Sequence, residues 1–296
     1  MRKAALGLGI CCFLLLASAE SDAGELRPET LDAWNKYVAA AQQRMAARLG
    51  NGLVFLWADE APERSQRLKQ GEIEVAPVNK NGAESVPHGL IHDWIGAVFI
   101  PDTTIDRVST TLRDYGRYKE MFPPTVVDSR VIERSGATDQ YSIRWVNKVL
   151  FVNAAVDAEC LTTNVHVDDH RFYATSYSTK LQEIQNYGEP SQHILPPDQG
   201  NGYVWRLYSF ARYEERDGGV YLEIEALALT RDIPVSLRFI VAPEVKKLSR
   251  NSLLVSLRQS RAAVHPSAEP LPVIVSGSQS DSSGPSLRAM PAAPKR

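Results

Sequence analysis

Three short groups of polar residues have the types and spacing that could do chemistry. The first is His92 with Asp93, because a histidine beside a carboxylate can take up and release protons. Neighbouring side chains in an extended strand point to opposite faces, however, so these two groups would not meet. We therefore prefer a structural or surface role for His92 to a catalytic one.

The second group is His166, Asp168, Asp169 and His170, which offer the nitrogen and oxygen atoms that bind metals. A zinc site normally supplies three or four positioned ligands. Two consecutive aspartates between strand-like segments are instead typical of a turn. We favour the turn, and we expect no metal and no cofactor.

The third group is Glu223 and Glu225, which would share one face of a strand. The rise of a strand separates them by about 6.5–7 Å, a spacing found for the paired carboxylates of inverting glycosidases. Arg206 or Arg212 of the preceding segment could instead pair with them across strands. We favour a solvated ion pair on an outer, charged face, and we predict no catalytic residue.

Residues 1–19 predict a secretory signal peptide, with two basic residues, an apolar stretch and a small-residue cleavage site before Glu20. Cys11 and Cys12 would leave with it. Cys160 would then be alone, and we expect a small buried side chain rather than a nucleophile. The mature protein is expected to be secreted or periplasmic, and no later segment has the ~20 consecutive apolar residues of a membrane span.

The composition is that of an ordinary globular protein, with a formal net charge of −2 over 296 residues. This balance lacks the basic excess of nucleic-acid-binding proteins, so we expect no nucleic-acid partner. Residues 265–296 are rich in Pro, Ser and Ala and predict a disordered tail. Its basic residues Arg288, Lys295 and Arg296 could touch an anionic membrane transiently, but they are too few to hold the protein there.

The elements that would position these groups begin with an N-terminal helix. Apolar residues at three- and four-residue steps, including Trp34 and Val38, predict this helix over 29–49. We assign residues 20–87 to an N-terminal helical appendage packed on a main domain over 88–264.

The main domain predicts strands together with helices, and hence an α+β fold. Residues 89–101 indicate a buried strand ended by proline, and Thr103 with Asp106 resembles a capping box that opens a helix. A last long helix runs to about Val264, with Pro243 in its first turn. Between the helices, turn residues separate six alternating segments, at 125–133, 140–151, 153–166, 171–186, 203–214 and 220–231.

Side-chain size predicts that the last helix does not fill the space against the sheet. The final strand has an apolar face with Ala226 and Ala228, and Ser209 and Ala211 lie on the face that we expect to be concave. Such small side chains leave room, although a solidly packed core is the alternative. The helix face that we expect to point inward carries Val245, Leu248, Ser252, Val255 and Gln259.

Three stretches of the chain resemble the START-like superfamily. They are WIGAVFIP at 94–101, LRDYGRYKEMFPPTVVDSRVI at 112–132 and WRLYSFARYEERDGGVYLEIEALALTRDIP at 205–234, followed by the closing helix. The most specific parts are DYGRYKEMFP, with its aromatic-Pro turn, and the DIP before the last helix. The superfamily includes polyketide cyclases/aromatases, coenzyme-Q-binding proteins and pollen-allergen-type lipid carriers, and the chain looks most like exported bacterial members of unassigned role.

The resemblance implies a helix-grip fold, in which a strongly curved antiparallel sheet wraps around a long C-terminal helix and encloses an apolar cavity. The superfamily contains both binding proteins and cyclases, and neither of the two specific motifs is catalytic. A fold alone does not assign chemistry.

Three functions fit such a fold. The first, which we favour, is an exported protein that holds a lipid, a quinone or an aromatic polyketide-like compound in the cavity. The second is a cyclase or aromatase that uses polar groups of the same cavity for proton transfer. The third is a non-catalytic interaction or stress-response protein whose N-terminal helix and 188–202 loop contact a partner. The expected ligand-binding residues are Trp145, Tyr177, Trp205, Leu207 and Ile224 from the sheet, and Val245, Leu248, Ser252 and Val255 from the helix.

Overall fold

A computed structural model of the chain describes residues 24–50, 54–79, 81–149, 152–233 and 238–265. The predicted signal peptide over 1–19 lies outside the described residues, and so does the predicted tail from residue 266 onward. None of the described helices is long and apolar enough to cross a membrane.

The described strands are β1 (Gly24–Glu25), β2 (Ile73–Pro77), β3 (Ala83–Val86), β4 (Gly89–Pro101), β5 (Val126–Ser135), β6 (Thr138–Val149), β7 (Val152–His166), β8 (Arg171–Gln185), β9 (His193–Ile194), β10 (Gln199–Gly200), β11 (Arg206–Arg216) and β12 (Gly219–Arg231). Ten of these form one antiparallel sheet. Its main path runs β2-β4-β12-β11-β8-β7-β6-β5, with β3 paired to β4 and β9 paired to β8. The short strands β1 and β10 pair with each other.

The described α-helices are α1 (Pro28–Leu49), α2 (Pro62–Lys69), α3 (Ile105–Leu112), α4 (Tyr118–Met121) and α5 (Arg238–Val264). The predicted cap of α3 was wrong by one residue, because the Thr104 hydroxyl accepts the hydrogen bond from Arg107 N at 3.4 Å. The predicted start of α5 was also wrong. The helix begins at Arg238 and continues through Pro243, which removes one backbone hydrogen bond without ending it.

We call the face of the sheet that packs on α5 the inner face. Leu253, Leu257 and Val264 of α5 are buried there in one cluster with side chains of β4, β8 and β12. Leu257 lies directly against Gly96 of β4, where an added Cβ atom would be 2.8 Å from Leu257 Cδ1. The missing side chain of Gly96 therefore lets the helix and the strand approach closely.

Of the predicted inward face of α5, Gln259 is buried, but this face is not the one that packs on the sheet. Ser252 is exposed, whereas Leu253 and Leu257 form the contact with the sheet. Apolar residues occur on more than one side of this helix, so their periodicity does not decide which side is buried. The close approach at Gly96 decides it.

The opposite face, which we call the outer face, is covered by α1 and by the segment after it. Trp34 and Met45 of α1 pack on β4, β11 and β12. Residues 55–58 and Leu68 cover the neighbouring part of β4 and β12. Residues 20–87 also supply β2 and β3 to the sheet, a contribution that the sequence analysis did not include.

The predicted α+β helix-grip fold is confirmed by this arrangement. A curved antiparallel sheet carries a long C-terminal helix on its inner face and an added N-terminal helix on its outer face.

Candidate functional site

The middle of the inner face is only partly covered. Ser209 of β11 pairs with Ala226 of β12, and both residues are half-buried, as are Ile224 and Ala228. Both strands pair with neighbours along both edges, and alternate side chains such as Leu227 are buried on the outer face. The exposure therefore comes from the inner side. The inner side of these four residues is therefore only partly covered by α5, and we call this partly covered surface the hollow.

Short side chains give the hollow its depth. In register across the sheet, Ala226 lies beside Ser209, Ser209 beside Ser176, and Ser176 beside Thr162. Ala226, Ser209 and Ser176 are half-buried, whereas Thr162 is buried, so the partly covered surface lies above β12, β11 and β8. Trp94 pairs with Ala226 and lies at one end of the row.

One wall of the hollow is aromatic. Tyr115 stacks on Tyr141 with ring centroids 3.9 Å apart, and Tyr118 meets Tyr141 edge-on. The Tyr141 hydroxyl lies 3.3 Å from Ser176 Oγ, which accepts a hydrogen bond from Thr162 Oγ1 at 2.9 Å. Burial raises the pKa of Tyr141 and of Tyr118 well above the ordinary value. The wall therefore offers ring faces and neutral hydroxyl groups.

Asp139 is a fully buried carboxylate at the other end of the row. It accepts hydrogen bonds from Arg113 Nε at 2.9 Å, Arg113 Nη2 at 3.1 Å and Asn164 Nδ2 at 2.9 Å. The Tyr115 hydroxyl donates to it at 3.3 Å. Both carboxylate oxygens are thus engaged, so Asp139 positions the Tyr115 ring against Tyr141 rather than offering a free acid.

Cys160 lies in the same wall and is buried, as predicted. Burial raises the pKa of its thiol to about 12. The thiolate that nucleophilic chemistry requires is therefore scarce at neutral pH.

His92 lies at the edge of the hollow, where it pairs with Ala228. Its Nε2 is 3.0 Å from Thr230 Oγ1, and its buried Nδ1 has no hydrogen-bond partner among the residues that the structure describes. Burial lowers the pKa of His92 to about 4, so the imidazole is neutral at physiological pH. Asp93 points to the outer face, as strand alternation predicts, and no His–Asp dyad forms.

Asp93 belongs instead to a polar cluster beneath α1. It accepts a hydrogen bond from the Tyr37 hydroxyl at 2.9 Å and from Arg44 Nη2 at 3.3 Å. The same Arg44 nitrogen reaches Glu225 Oε1 at 3.1 Å. Burial, together with the negative charge of Glu225, raises the pKa of Asp93 to about 7. Ionic contacts as well as apolar side chains therefore hold α1 to the sheet.

Glu223 pairs with Arg212, one of the two arginines that the sequence analysis named. Arg212 Nη1 donates to Glu223 Oε1 at 2.7 Å, and Ala58 N donates to Oε2 at 3.2 Å. Burial raises the pKa of Glu223 to about 7. The predicted solvated pair was wrong, because α1 and residues 55–58 cover this face and leave both charged side chains buried.

The acidic segment between β7 and β8 is a turn, as the sequence predicts. Asp168 Oδ1 accepts a hydrogen bond from His170 N at 3.0 Å, and Oδ2 accepts one from Arg171 Nε at 2.7 Å. These contacts tie Asp168 to its own turn.

The residues predicted to line the cavity are only partly brought together. Trp145, Leu207 and Ile224 lie on the inner face. From α5, Val245, Leu248 and Val255 are half-buried and Ser252 is exposed.

Tyr177 and Trp205 lie on the outer face instead, which corrects their expected position. Trp205 precedes β11, so strand alternation does not govern it, and it is buried with Trp34 of α1. Tyr177 pairs with Tyr208 and stacks on it, with ring centroids 6.3 Å apart.

The sequence analysis missed the part of the hollow formed by β6, β7 and β8. Thr162 and Ser176 come from different strands, and only the pairing of those strands aligns them in one row. The signal for the aromatic wall was the DYGRYKEMFP stretch, which contains Tyr115 and Tyr118.

No protein-family model matches this chain, and no curated protein matches it. Among solved structures, the chain is similar to a STAR-related lipid transfer protein from Xanthomonas axonopodis, with 14% identity over 65% of this chain and 98% of that chain and a TM-score of 0.42. Human STARD10 is 13% identical over 76% of this chain and 94% of its own, with a TM-score of 0.39. The Zhui aromatase/cyclase from a Streptomyces species is 10% identical over 59% of this chain and 93% of its own, with a TM-score of 0.39.

The helix-grip fold itself is assigned here from the strand order of the sheet and from the position of α5 on its inner face.

Proposed function

We propose that this protein binds a hydrophobic small molecule in the hollow between α5 and strands β8, β11 and β12. The observation that carries the proposal is the half-buried state of Ser209, Ile224 and Ala226 at the centre of a fully paired sheet. Core positions of this kind are normally packed against other side chains. Space above them suits an apolar ligand.

The chemistry of the lining narrows the class of ligand. Ile224, Leu207 and Trp145 supply apolar surface, while Tyr141 and Ser176 supply neutral hydroxyl groups. Mostly apolar walls with a few fixed polar groups are typical of small-molecule sites. A lipid, a quinone or an aromatic polyketide-like compound, with an apolar body and one or two oxygen atoms, fits this lining.

The place of action that we propose is outside the cytoplasm, either secreted or periplasmic. The support is the predicted signal peptide over residues 1–19. Fractionation of the native host would detect the protein in the periplasm or the medium, and a cytoplasmic location with an uncleaved N-terminus would contradict this.

Binding is tested by filling the hollow. We expect the wild-type protein, purified from its own host, to carry a small molecule in native mass spectrometry and to take up the fluorescent fatty acid cis-parinaric acid. Ala226→Phe would occupy the space above β12 and weaken uptake by about tenfold or more, equivalent to about 1.4 kcal/mol. Ser209→Val is a smaller change in the same row, to be used if phenylalanine prevents folding.

The matched control is Ala46→Phe, which adds the same ring at an exposed position of α1. It should bind like the wild type. A native protein that carries no small molecule and takes up no cis-parinaric acid would contradict the proposal. If a folded Ala226→Phe protein takes up as much ligand as the wild type, the binding site lies outside the hollow.

A second candidate function, a cyclase or aromatase, is favoured by one observation. His92 is neutral and lies at the edge of the hollow, and its Nδ1 lacks a hydrogen-bond partner among the described residues. Such a nitrogen could accept a hydrogen bond from a substrate hydroxyl group and position it for reaction. His92→Phe would then abolish conversion of a polyketide-like substrate while retaining its binding. Equal turnover by the variant and the wild type would exclude this role.

A further inference from the structure

An open groove of about 320 Å³ lies between α1 and the strands β8 and β11. We call it the α1 groove. It does not involve α5, and the proposed binding of a ligand in the hollow does not by itself require it. Its lining residues are Trp34, Asn35, Val38, Gln42, Tyr177, Ser178, Arg206, Leu207 and Tyr208.

The α1 groove is lined from both faces of the sheet. Trp34 and Val38 belong to the outer cluster beneath α1. Leu207 packs with the inner aromatic wall, and Ser178 pairs with Cys160 of the same wall. The lining of the groove therefore includes two residues, Leu207 and Ser178, that also belong to the inner wall or pair with it.

The strands separate where the groove lies. The last paired residues of β8 and β11 are Tyr177 and Tyr208. On the far side of this pair, β8 continues along β7 past an irregularity opposite Glu159 and Cys160. β11 extends only two residues further, to its first residue, Arg206. The backbone pairing between β8 and β11 therefore stops at the mouth of the groove.

A single side chain replaces the backbone ladder at this point. Leu207 N donates to Ser178 Oγ at 3.0 Å rather than to a carbonyl oxygen of β8. One side-chain hydrogen bond contributes only about 0.5–1.5 kcal/mol. Parting the strands here costs much less than parting a regular ladder.

Two tyrosine rings line the mouth of the groove, and a single hydrogen bond from α1 crosses it. Tyr177 is 42% exposed and its ring is nearly parallel to that of Tyr208, at 12°. Gln42 Nε2 donates to the Tyr208 hydroxyl at 3.0 Å across the groove. Arg206 is neutralised by Asp198 at 2.5 Å. Flat apolar molecules therefore meet ring faces here without a free cation.

We infer that the α1 groove is the entrance through which a hydrophobic ligand reaches the hollow, passing between β8 and β11. This inference rests on the proposed function. In this inference Tyr177, Ser178 and Gln42 line the path of the ligand, and α1 covers the entrance. An entrance changes the rates of association and dissociation together, whereas the affinity stays the same because the bound state is unaltered.

The test blocks the groove reversibly in the full chain. Asn35→Cys places a thiol at an exposed position of the lining, which a bulky methanethiosulfonate reagent labels and a mild reductant releases. Stopped-flow fluorescence with cis-parinaric acid measures both rates. We expect the label to slow association and dissociation by about tenfold each, with the dissociation constant unchanged within about twofold. Reduction should restore both rates.

The matched control is Lys36→Cys with the same label, which is exposed on the next residue of α1 and does not line the groove. A second variant, Ser178→Phe, narrows the passage without a label and should slow both rates in the same way. Thr179→Phe, exposed on the same strand, is its control.

The outcomes separate the entrance from the proposed function. Uptake with unchanged rates in both the labelled Asn35→Cys protein and Ser178→Phe would overturn the entrance and leave the hollow as the binding site. A changed dissociation constant would also overturn it, because the groove would then hold the ligand itself. No uptake by the wild-type protein would overturn both proposals.

Discussion

Asp93, like Glu223, is a buried carboxyl group of the outer face whose pKa is raised to about 7. It is fully buried, it has one oxygen without a hydrogen-bond partner among the described residues, and Arg44 reaches it from α1. Burial and the charge of Glu225 raise its pKa from 3.8 to about 7. The folded protein therefore binds this proton more tightly than the unfolded chain.

We expect Asp93→Asn to change the pH dependence of stability. A raised carboxyl pKa stabilises the fold fully below the unfolded value of 3.8, and this contribution is lost as the pH rises through about 7. The free energy of unfolding of the variant, relative to the wild type, should therefore rise across this range. The slope is at most about 1.4 kcal/mol per pH unit, and urea unfolding at several pH values measures it.

His92 acts with the opposite sign, because burial lowers its pKa from 6.5 to about 4 and its contribution is lost as the pH falls through this range. It is present in both proteins, so the difference between them isolates Asp93. Asp169→Asn, in the exposed turn, is the matched control. A difference that does not vary with pH would show that Asp93 is ionised in the fold.

At the scale of elements, the contact between α5 and β4 depends on Gly96. A Cβ atom there would lie 2.8 Å from Leu257 Cδ1 and 2.9 Å from the Glu74 carbonyl oxygen. We expect Gly96→Ala to lower the free energy of unfolding by about 1–3 kcal/mol through overpacking. Leu257→Ala should cost about 2–5 kcal/mol through the cavity that it leaves.

A double-mutant cycle tests whether these two residues meet. The combined Gly96→Ala and Leu257→Ala protein should lose less stability than the sum of the single losses, by more than about 0.5 kcal/mol, because the shorter side chain relieves the clash. The same cycle with Val264→Ala, buried elsewhere on α5, should be additive. If the losses in the free energy of unfolding caused by Gly96→Ala and Leu257→Ala are additive, Leu257 does not pack against Gly96.

The sequence indicates most of the elements, because their signals are local. The strand predicted over 203–214 is β11 (Arg206–Arg216), and that predicted over 220–231 is β12 (Gly219–Arg231). The alternation of side chains along a strand also predicted that His92 and Asp93 lie on opposite faces, as the structure shows. These features depend on residues within a few positions of one another.

What covers each face could not be predicted, because it depends on residues far apart in sequence. Glu223 was expected in solvent, yet residues 55–58 bury it. Ser252 was expected to point inward, but the fit of Leu257 against Gly96 sets the rotation of α5. Tyr177 was expected in the cavity, and its pairing with Tyr208 places it on the outer face.

Over the whole molecule, the sheet is covered on both faces, and the hollow on the inner face is only partly covered. A ligand that enters this space binds the folded chain and not the unfolded one. We expect cis-parinaric acid at about 100 times its dissociation constant to raise the free energy of unfolding by about 2.7 kcal/mol. Chemical denaturation with and without the ligand measures the change.

Ala226→Phe is the control for this effect, because a tenfold weaker affinity lowers the stabilisation expected at the same ligand concentration to about 1.4 kcal/mol or less. Equal stabilisation of the variant and the wild type would indicate binding elsewhere on the molecule.

The row of short side chains from Ala226 to Thr162 has a consequence for related chains. Each position in the row comes from a different strand, and its neighbours on the opposite face are held by separate contacts. If the hollow binds a ligand as proposed, exchanging one of these residues for a longer one would therefore shorten the molecule that fits above the row. On the proposed function, the sizes of these four side chains would then set the length of the ligand.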